Sequence, residues 1–288
     1  MAATSALTAS TAPLTLSQIL AYTPSVLATD KHHDRKDTYK YISTAEMIEA
    51  MGDKGFRPFA VHQITPRKNA EDRRGFARHA ITFRHESMFG TDEELIPQVV
   101  ILNSHDGTTA FRMMAGFFRF VCSNGLIAGD GEGFAINHSG KATMANVIEA
   151  SFEVLNQCQN KLAHVQDWMG ITLNDTQRLE LATQAHAIKF GNKASDYFDV
   201  ITPEMFLEPR NEEDYGNRSL WSTYNVLQEN IMKGGLVGMK QGTPAFRNNR
   251  HERMKVSTRP INNVIQNIDL NRKLWNMAEE YASNIITL

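Results

Sequence analysis

Arginine is the residue type in this chain whose clustering most suggests chemistry. One cluster holds Arg67, Lys68, Arg73, Arg74, Arg78 and Arg84, interrupted by Glu71 and Asp72. A second holds Arg247, Arg250, Arg253, Lys255 and Arg259, opposed only by Glu252. Each includes an aromatic ring, Phe76 in the first and Phe246 in the second. Guanidinium groups fork onto phosphate oxygens and rings stack on bases, so the pattern fits a single-stranded nucleic acid. It equally fits a solvated loop and a hinge. Arg112 and Arg119 add a third feature. If residues 108–123 form a helix, these two share its one non-apolar stripe, with Gly116 between them. They then stand about 10 Å apart, a spacing that suits neighbouring phosphates of an extended strand. Pairing of both with carboxylates is the other reading.

Acid–base or metal chemistry has fewer footholds. His105-Asp106, with His79 and His138 in neighbouring strands, offers a candidate catalytic or metal-ligating group. Its spacing matches no standard motif, and turn and cap roles explain both residues more simply. The paired His32-His33 lies in the charged run Lys31–Lys36, where a solvated linker is the simpler reading than a metal site. The chain contains no phosphate-binding glycine loop, no H-E-x-x-H and no G-x-S-x-G. No cofactor and no metal are therefore expected, and a binding protein is expected ahead of an enzyme.

The elements that must position these residues follow from periodicity. Val99–Leu102 reads as a short β-branched strand, and Asn103–Gly107 as a turn. From Thr108 to Ser123 the spacing of Phe111, Met114, Ala115, Phe118 and Cys122 predicts a helix closed by Asn124-Gly125. Ser43 with Glu46 predicts a capped helix to Met51, and Arg57 to Ile64 a strand. Phe76 to Arg84 alternates as a strand: Ala77, Ile81 and Phe83 face one way, Arg78, Thr82 and Arg84 the other. Phe134 to His138 is expected to be a fourth strand. Helices are then expected over Met144–Trp168, from Asn174-Asp175 to Phe190, over Leu220–Met232, and from Asp269 onward. A loop is expected between Thr202 and Asp214, and 241–260 is basic and poor in apolar residues. The fold class is α+β: a small, mostly antiparallel sheet with packed helices in the first half and a helical second half. Residues 1–30 are expected to be a flexible or docking segment. Residues 31–288 are expected to form a single domain, with a sheet-containing core at 39–170 and a helical part at 171–288.

Composition narrows the class further. The 288 residues carry a formal net charge of -2, so any nucleic-acid site must come from local clustering. The two cysteines, Cys122 and Cys158, sit among apolar residues and read as buried free thiols. No apolar run reaches transmembrane length, and no Lys or Arg precedes Lys31. A cytoplasmic protein is expected, with no membrane partner.

Several stretches together carry a resemblance. They are Tyr39–Thr44, Gly75–His79, Leu102–Gly107, Gly116–Leu126, Tyr224–Asn230 with Gly234-Gly235, and Asn271–Trp275. With them the chain resembles the phage/plasmid-like protein family, domain of unknown function 932, common on bacteriophages, plasmids and integrative elements. That resemblance brings no activity with it. The order of helix, strands and a further basic helix is also similar to the single-strand annealing recombinases. This likeness implies a homo-oligomer that binds single-stranded DNA and anneals it without a nucleotide. Two other expectations stand beside it: a protein-binding module that counters a host defence or restriction system, and a metal-dependent nuclease using His105 and Asp106.

Overall fold

The computed structural model describes residues 5–7, 12–66, 70–88, 95–119, 124–127, 135–136, 144–241 and 253–286. Within them the fold is α+β, and the chain divides into two compact units. The first is Met1–Leu162 with Asn263–Ile268; the second is Ala163–Asn262 with Asp269–Leu288.

The first unit is built on an antiparallel sheet. Its strands are β1 (Ser5–Leu7), β2 (Phe56–Gln63), β3 (His79–His85), β4 (Leu95–Asn103), β5 (Phe111–Arg119) and β6 (Asn124–Ile127). They pair in chain order, and the short β7 (Ala135–Ile136) also pairs with β5. β3 and β4 lie side by side, with His79 opposite Asn103 and Ile81 opposite Ile101. Helix α1 (Leu16–Tyr22) buries Ile19, and the turn after it buries Val26, so the N-terminal segment docks. Helix α2 (Thr44–Asp53) starts where expected: the Ser43 hydroxyl accepts the Glu46 N–H at 3.2 Å. It buries Thr44, Met47 and Met51. The four-residue α3 (Ala70–Arg73) precedes β3.

Where a helix is expected over 108–123, Phe111–Arg119 form a strand instead. β5 pairs with β4 from Leu95–Arg119 to Leu102–Arg112. The run FRMMAGFF is apolar at nearly every position, so it satisfies a period of two as well as one of 3.6. The pairing surface of β4, buried along its whole length, decides between them. Phe111, Met113 and Ala115 turn to one side of the sheet and are buried. Met114 turns to the other and clusters with Ala80, Val100 and Leu102 under Ile265 and Ile268. The shared helical stripe of Arg112 and Arg119 therefore does not exist. The side chains of Phe117, Phe118 and Arg119 lie outside the described residues, as does Cys122.

Helix α4 is Met144–Gly170. On it Cys158 is a buried free thiol near the carbonyls of Gln98 and Gly116, and burial pushes it up to about 11.

The second unit holds α5 (Asp175–Phe190), the short α6 (Ala194–Tyr197), α7 (Leu220–Lys233) and a hairpin of β8 (Val237–Gln241) and β9 (Arg253–Ser257). Helix α8 (Val264–Ile286) contributes the rest. Asn174 caps α5 with Gln177 in a reciprocal box. Trp168, Trp221, Tyr224 and Trp275 form an aromatic core, with the Trp168 and Trp275 rings 4.7 Å apart. The last helix begins earlier than Asp269. Asn263 supplies the cap by accepting the Ile265 and Gln266 N–H groups at 3.0 and 3.1 Å. Asp269 lies inside the helix and pairs with Arg272 and Lys273.

Candidate functional site

The junction of β4 and β5 is the most highly organised polar region of the first unit. Asn103, Ser104 and His105 are fully buried and Asp106 nearly so. Ser104 closes the loop: its hydroxyl accepts the Thr109 N–H at 3.1 Å and donates to the Thr109 carbonyl at 3.2 Å. Asp106 Oδ1 accepts from both the N–H and the hydroxyl of Thr108, the local turn bond that Asp favours. Gly107 then takes φ 70, and a Cβ there would stand 2.9 Å from Arg35 Cδ.

Beneath this loop runs a hydrogen-bonded knot. His79 Nδ1 donates to the Ala77 carbonyl at 2.9 Å and lies 2.8 Å from Ser25 Oγ. Its Nε2 therefore accepts, and Thr44 Oγ1 donates to it at 2.9 Å. Thr44 Oγ1 accepts in turn from Asn103 Nδ2 at 3.0 Å and from His105 Nε2 at 3.2 Å. Ser25 gives both its N–H and its hydroxyl to Gln63 Oε1, and Gln63 Nε2 donates to the Arg74 carbonyl. Burial pulls His79 down to about 4, outweighing the Ala77 carbonyl and the Asp106 charge, so its ring is neutral at pH 7. Backbone bonds extend the knot: His105 N–H to the Phe76 carbonyl at 2.9 Å, and His32 N–H to the His105 carbonyl at 2.8 Å.

This arrangement fixes the shape of a surface rather than performing chemistry itself. His105 is 0% exposed and Asp106 4%, so neither opens to a substrate. Outside the knot lies a cleft of about 530 Å³ walled by Tyr39, Leu102, Arg112, Ile265, Ile268 and the loop 107–110. The Tyr39 hydroxyl donates to the Ser104 carbonyl at 2.6 Å, which leaves its ring as a wall of the cleft. Burial pushes that phenol well above its usual range. Arg112 is exposed.

The other arginines read from the sequence are dispersed. Arg84 points into the core at 3% exposed, with its guanidinium 4.1 Å above the Phe59 ring. With the Gln98 amide turned to face it, Oε1 accepts from Arg84 Nε at 2.8 Å and Nη2 at 3.1 Å. Burial lowers Arg84 to about 10, and it is no part of a surface. The alternation placed it on a polar face, but both faces of the sheet are covered here. Arg73 is paired with Asp34, while Arg74 is exposed and Arg78 half-buried. Arg67, Lys68, His138, Phe246, Arg247 and Arg250 lie outside the described residues.

Sequence reasoning missed Gln63 and also Ser25, which meets Gln63 from 38 residues away and His79 from 54. Thr44 was legible only as part of a helix cap. In the second unit the polar residues of α7 other than Lys233 are also buried. Glu229 accepts from Lys233 and, at 2.8 Å, from Asn211; Gln228 Nε2 donates to Asn271 Oδ1 at 2.9 Å. Asn230 Nδ2 bonds the Phe206 and Glu208 carbonyls at 2.9 Å each.

Comparison with known proteins meets these same stretches. The family model for the domain of unknown function DUF932 matches residues 31–275, which include Thr44, Gln63, His79, Asn103 and His105 of the knot, Arg112 and α7, but not Ser25. The chain belongs to the DUF932 family. Among curated relatives, this DUF932 chain is 33% identical over 274 residues to the UPF0380 protein YfjQ of Escherichia coli strain K12. It is 34% identical over 275 residues to the UPF0380 protein YafZ of the same strain. Each match covers 95% of this chain and 93% of the relative. No solved structure matches. Among the described residues of this DUF932 protein, no helix is long and apolar enough to cross a membrane.

Proposed function

We propose that this protein binds single-stranded nucleic acid at the cleft around Arg112, without a nucleotide, and serves strand annealing on mobile elements. The observation that carries the reading is the make-up of that cleft. An exposed guanidinium stands beside the Tyr39 ring and the side chains of Ile265 and Ile268. A cation takes a phosphate, and an aromatic and apolar wall takes a base. Arg74, exposed in the same unit, supplies a further phosphate contact. A nuclease built on His105 and Asp106 has no comparable support, because both side chains are buried.

Fluorescence anisotropy with labelled single- and double-stranded oligonucleotides over a salt series tests the proposal. Single strands are expected to bind tighter than duplex, with an affinity that falls as salt rises. Arg112→Ala should weaken binding and flatten the slope by about 0.7 for each phosphate it no longer neutralises. An annealing role further expects a homo-oligomer, which sedimentation reports directly.

A second reading, a protein partner such as a component of a host defence system, is favoured by the charge pattern. The formal net charge is -2, and Arg73 and Arg57 are already neutralised by Asp34 and Glu86. No salt-sensitive binding to any oligonucleotide would turn the assignment to that partner class.

A further inference from the structure

We propose that His32, His33 and Asp72 form a binding site for a divalent first-row cation of the zinc class. Their ligand atoms all lie within 4.8 Å of one another. His32 Nε2 stands 3.0 Å from Asp72 Oδ2, and His33 Nδ1 stands 4.0 Å from Asp72 Oδ1. Tetrahedral zinc with bonds of about 2.0–2.1 Å sets its ligand atoms roughly 3.3 Å apart. The distances to the two Asp72 oxygens, 3.0 and 4.0 Å, lie on either side of that spacing, so modest side-chain rotation closes the set. Two imidazoles and one carboxylate suit zinc and its first-row neighbours rather than magnesium or calcium, which prefer all-oxygen shells.

Both ring nitrogens of His32 face carboxylates: Nδ1 lies 2.5 Å from Asp34 Oδ1 and Nε2 lies 3.0 Å from Asp72 Oδ2. With its Nδ1 proton given to Asp34, the ring presents the Nε2 lone pair on the Asp72 side, where a cation would sit.

The surroundings are those of a metal ligand. Carboxylate–histidine–metal relays fix the ring and raise its basicity. Here Asp34 plays the carboxylate, and it is itself held by Arg35 at 3.1 Å and by Arg73. His32 is 1% exposed and its ring meets Phe76 edge-on at 5.0 Å, which makes it a rigid anchor. His33 and Asp72 are 74% and 49% exposed, which leaves an ion a route in from solvent and a fourth position for water. Bound there, the cation ties the 31–36 segment to α3, a helix too short to hold itself. This inference is independent of the reading of the Arg112 cleft.

The test is a titration of chelator-stripped full-length protein with Co²⁺, followed by the visible bands of tetrahedral cobalt, and then displacement by Zn²⁺. One equivalent is expected to bind, and Mg²⁺ is expected to give no signal. The surface double variant His33→Ala/Asp72→Ala should abolish the bands while melting like the wild type in the absence of metal. Asp34→Asn should weaken binding by about 10–100-fold, the usual effect of removing a ligand's orienting partner. Absence of cobalt or zinc binding to the wild type would overturn the proposal. Equal affinity in the double variant would overturn it as well.

Discussion

Thr44 Oγ1 donates to His79 Nε2 at 2.9 Å, joining the first turn of α2 to the first residue of β3. The same oxygen accepts from Asn103 and His105, so one hydroxyl ties the start of β3, the end of β4 and the loop after it to a helix. Thr44→Val keeps the shape and removes every one of these bonds. It is expected to cost about 1–3 kcal/mol, because buried donors are left unmade. Urea unfolding measures this, and Thr44→Ser should restore most of the loss. A change within about 0.5 kcal/mol, the size of an ordinary surface substitution, would show that the knot does not hold the fold together.

The neutral, buried His79 makes stability depend on pH in a definite direction. Its folded value of about 4 lies below the ordinary 6.5. Between these values the unfolded chain binds the extra proton, so stability is complete above pH 6.5 and declines as pH falls toward 4. At 1.36 kcal/mol per unit, the decline across that window is roughly 3 kcal/mol. The charged and titratable groups facing it are Asp106 and His105. Unfolding free energies from urea titrations at pH 7 and pH 5 should differ by about 2 kcal/mol in the wild type. The difference should shrink in His79→Gln. An undiminished difference in that variant would place the titration on other groups.

Arg84 and Arg112 should separate structure from binding. Arg84→Ala leaves the Gln98 amide oxygen without its two donors and is expected to cost about 1–3 kcal/mol. Being 3% exposed, Arg84 should leave the salt dependence of oligonucleotide binding unchanged. Arg112→Ala should do the reverse, with a wild-type melting temperature and a flatter salt slope. The two variants compared by thermal melting and anisotropy give a crossed pattern if the cleft is the binding surface. If both variants changed only stability, Arg112 would belong to the fold.

Much of this fold could be read from local pattern, and the exceptions have physical causes. β3 and β4 were legible because β-branched and apolar residues alternate or run on between turn residues. Ser43 announced α2 and Asn174 announced α5, because a cap is a bond between neighbours in sequence. β5 was not legible, since a run that is apolar almost throughout carries no period and takes its structure from its partner. Asp269 looked like a cap because it precedes an apolar stripe, but Asn263 makes the bonds one turn and a half earlier. At the site, His79, His105 and Asp106 were singled out by residue type. Their role was not, since it depends on Ser25 and Gln63, whose proximity is set by the sheet register. Alternation also assumes one wet face, and Arg84 lies where the sheet is covered on both.

The strands of the sheet stand side by side in the order in which the chain is made. Each can therefore pair with the one before it as it leaves the ribosome. The apolar face of Ala80, Val100, Leu102 and Met114 is different, because its cover comes from Ile265 and Ile268. From residue 114 to residue 265 is 151 residues. At about 5–20 residues per second, that face waits roughly 8–30 s for its lid during synthesis. A nascent chain of this protein thus carries an uncovered, paired β-surface for most of its translation, and its yield in the cell should depend on what shields that surface in the interval.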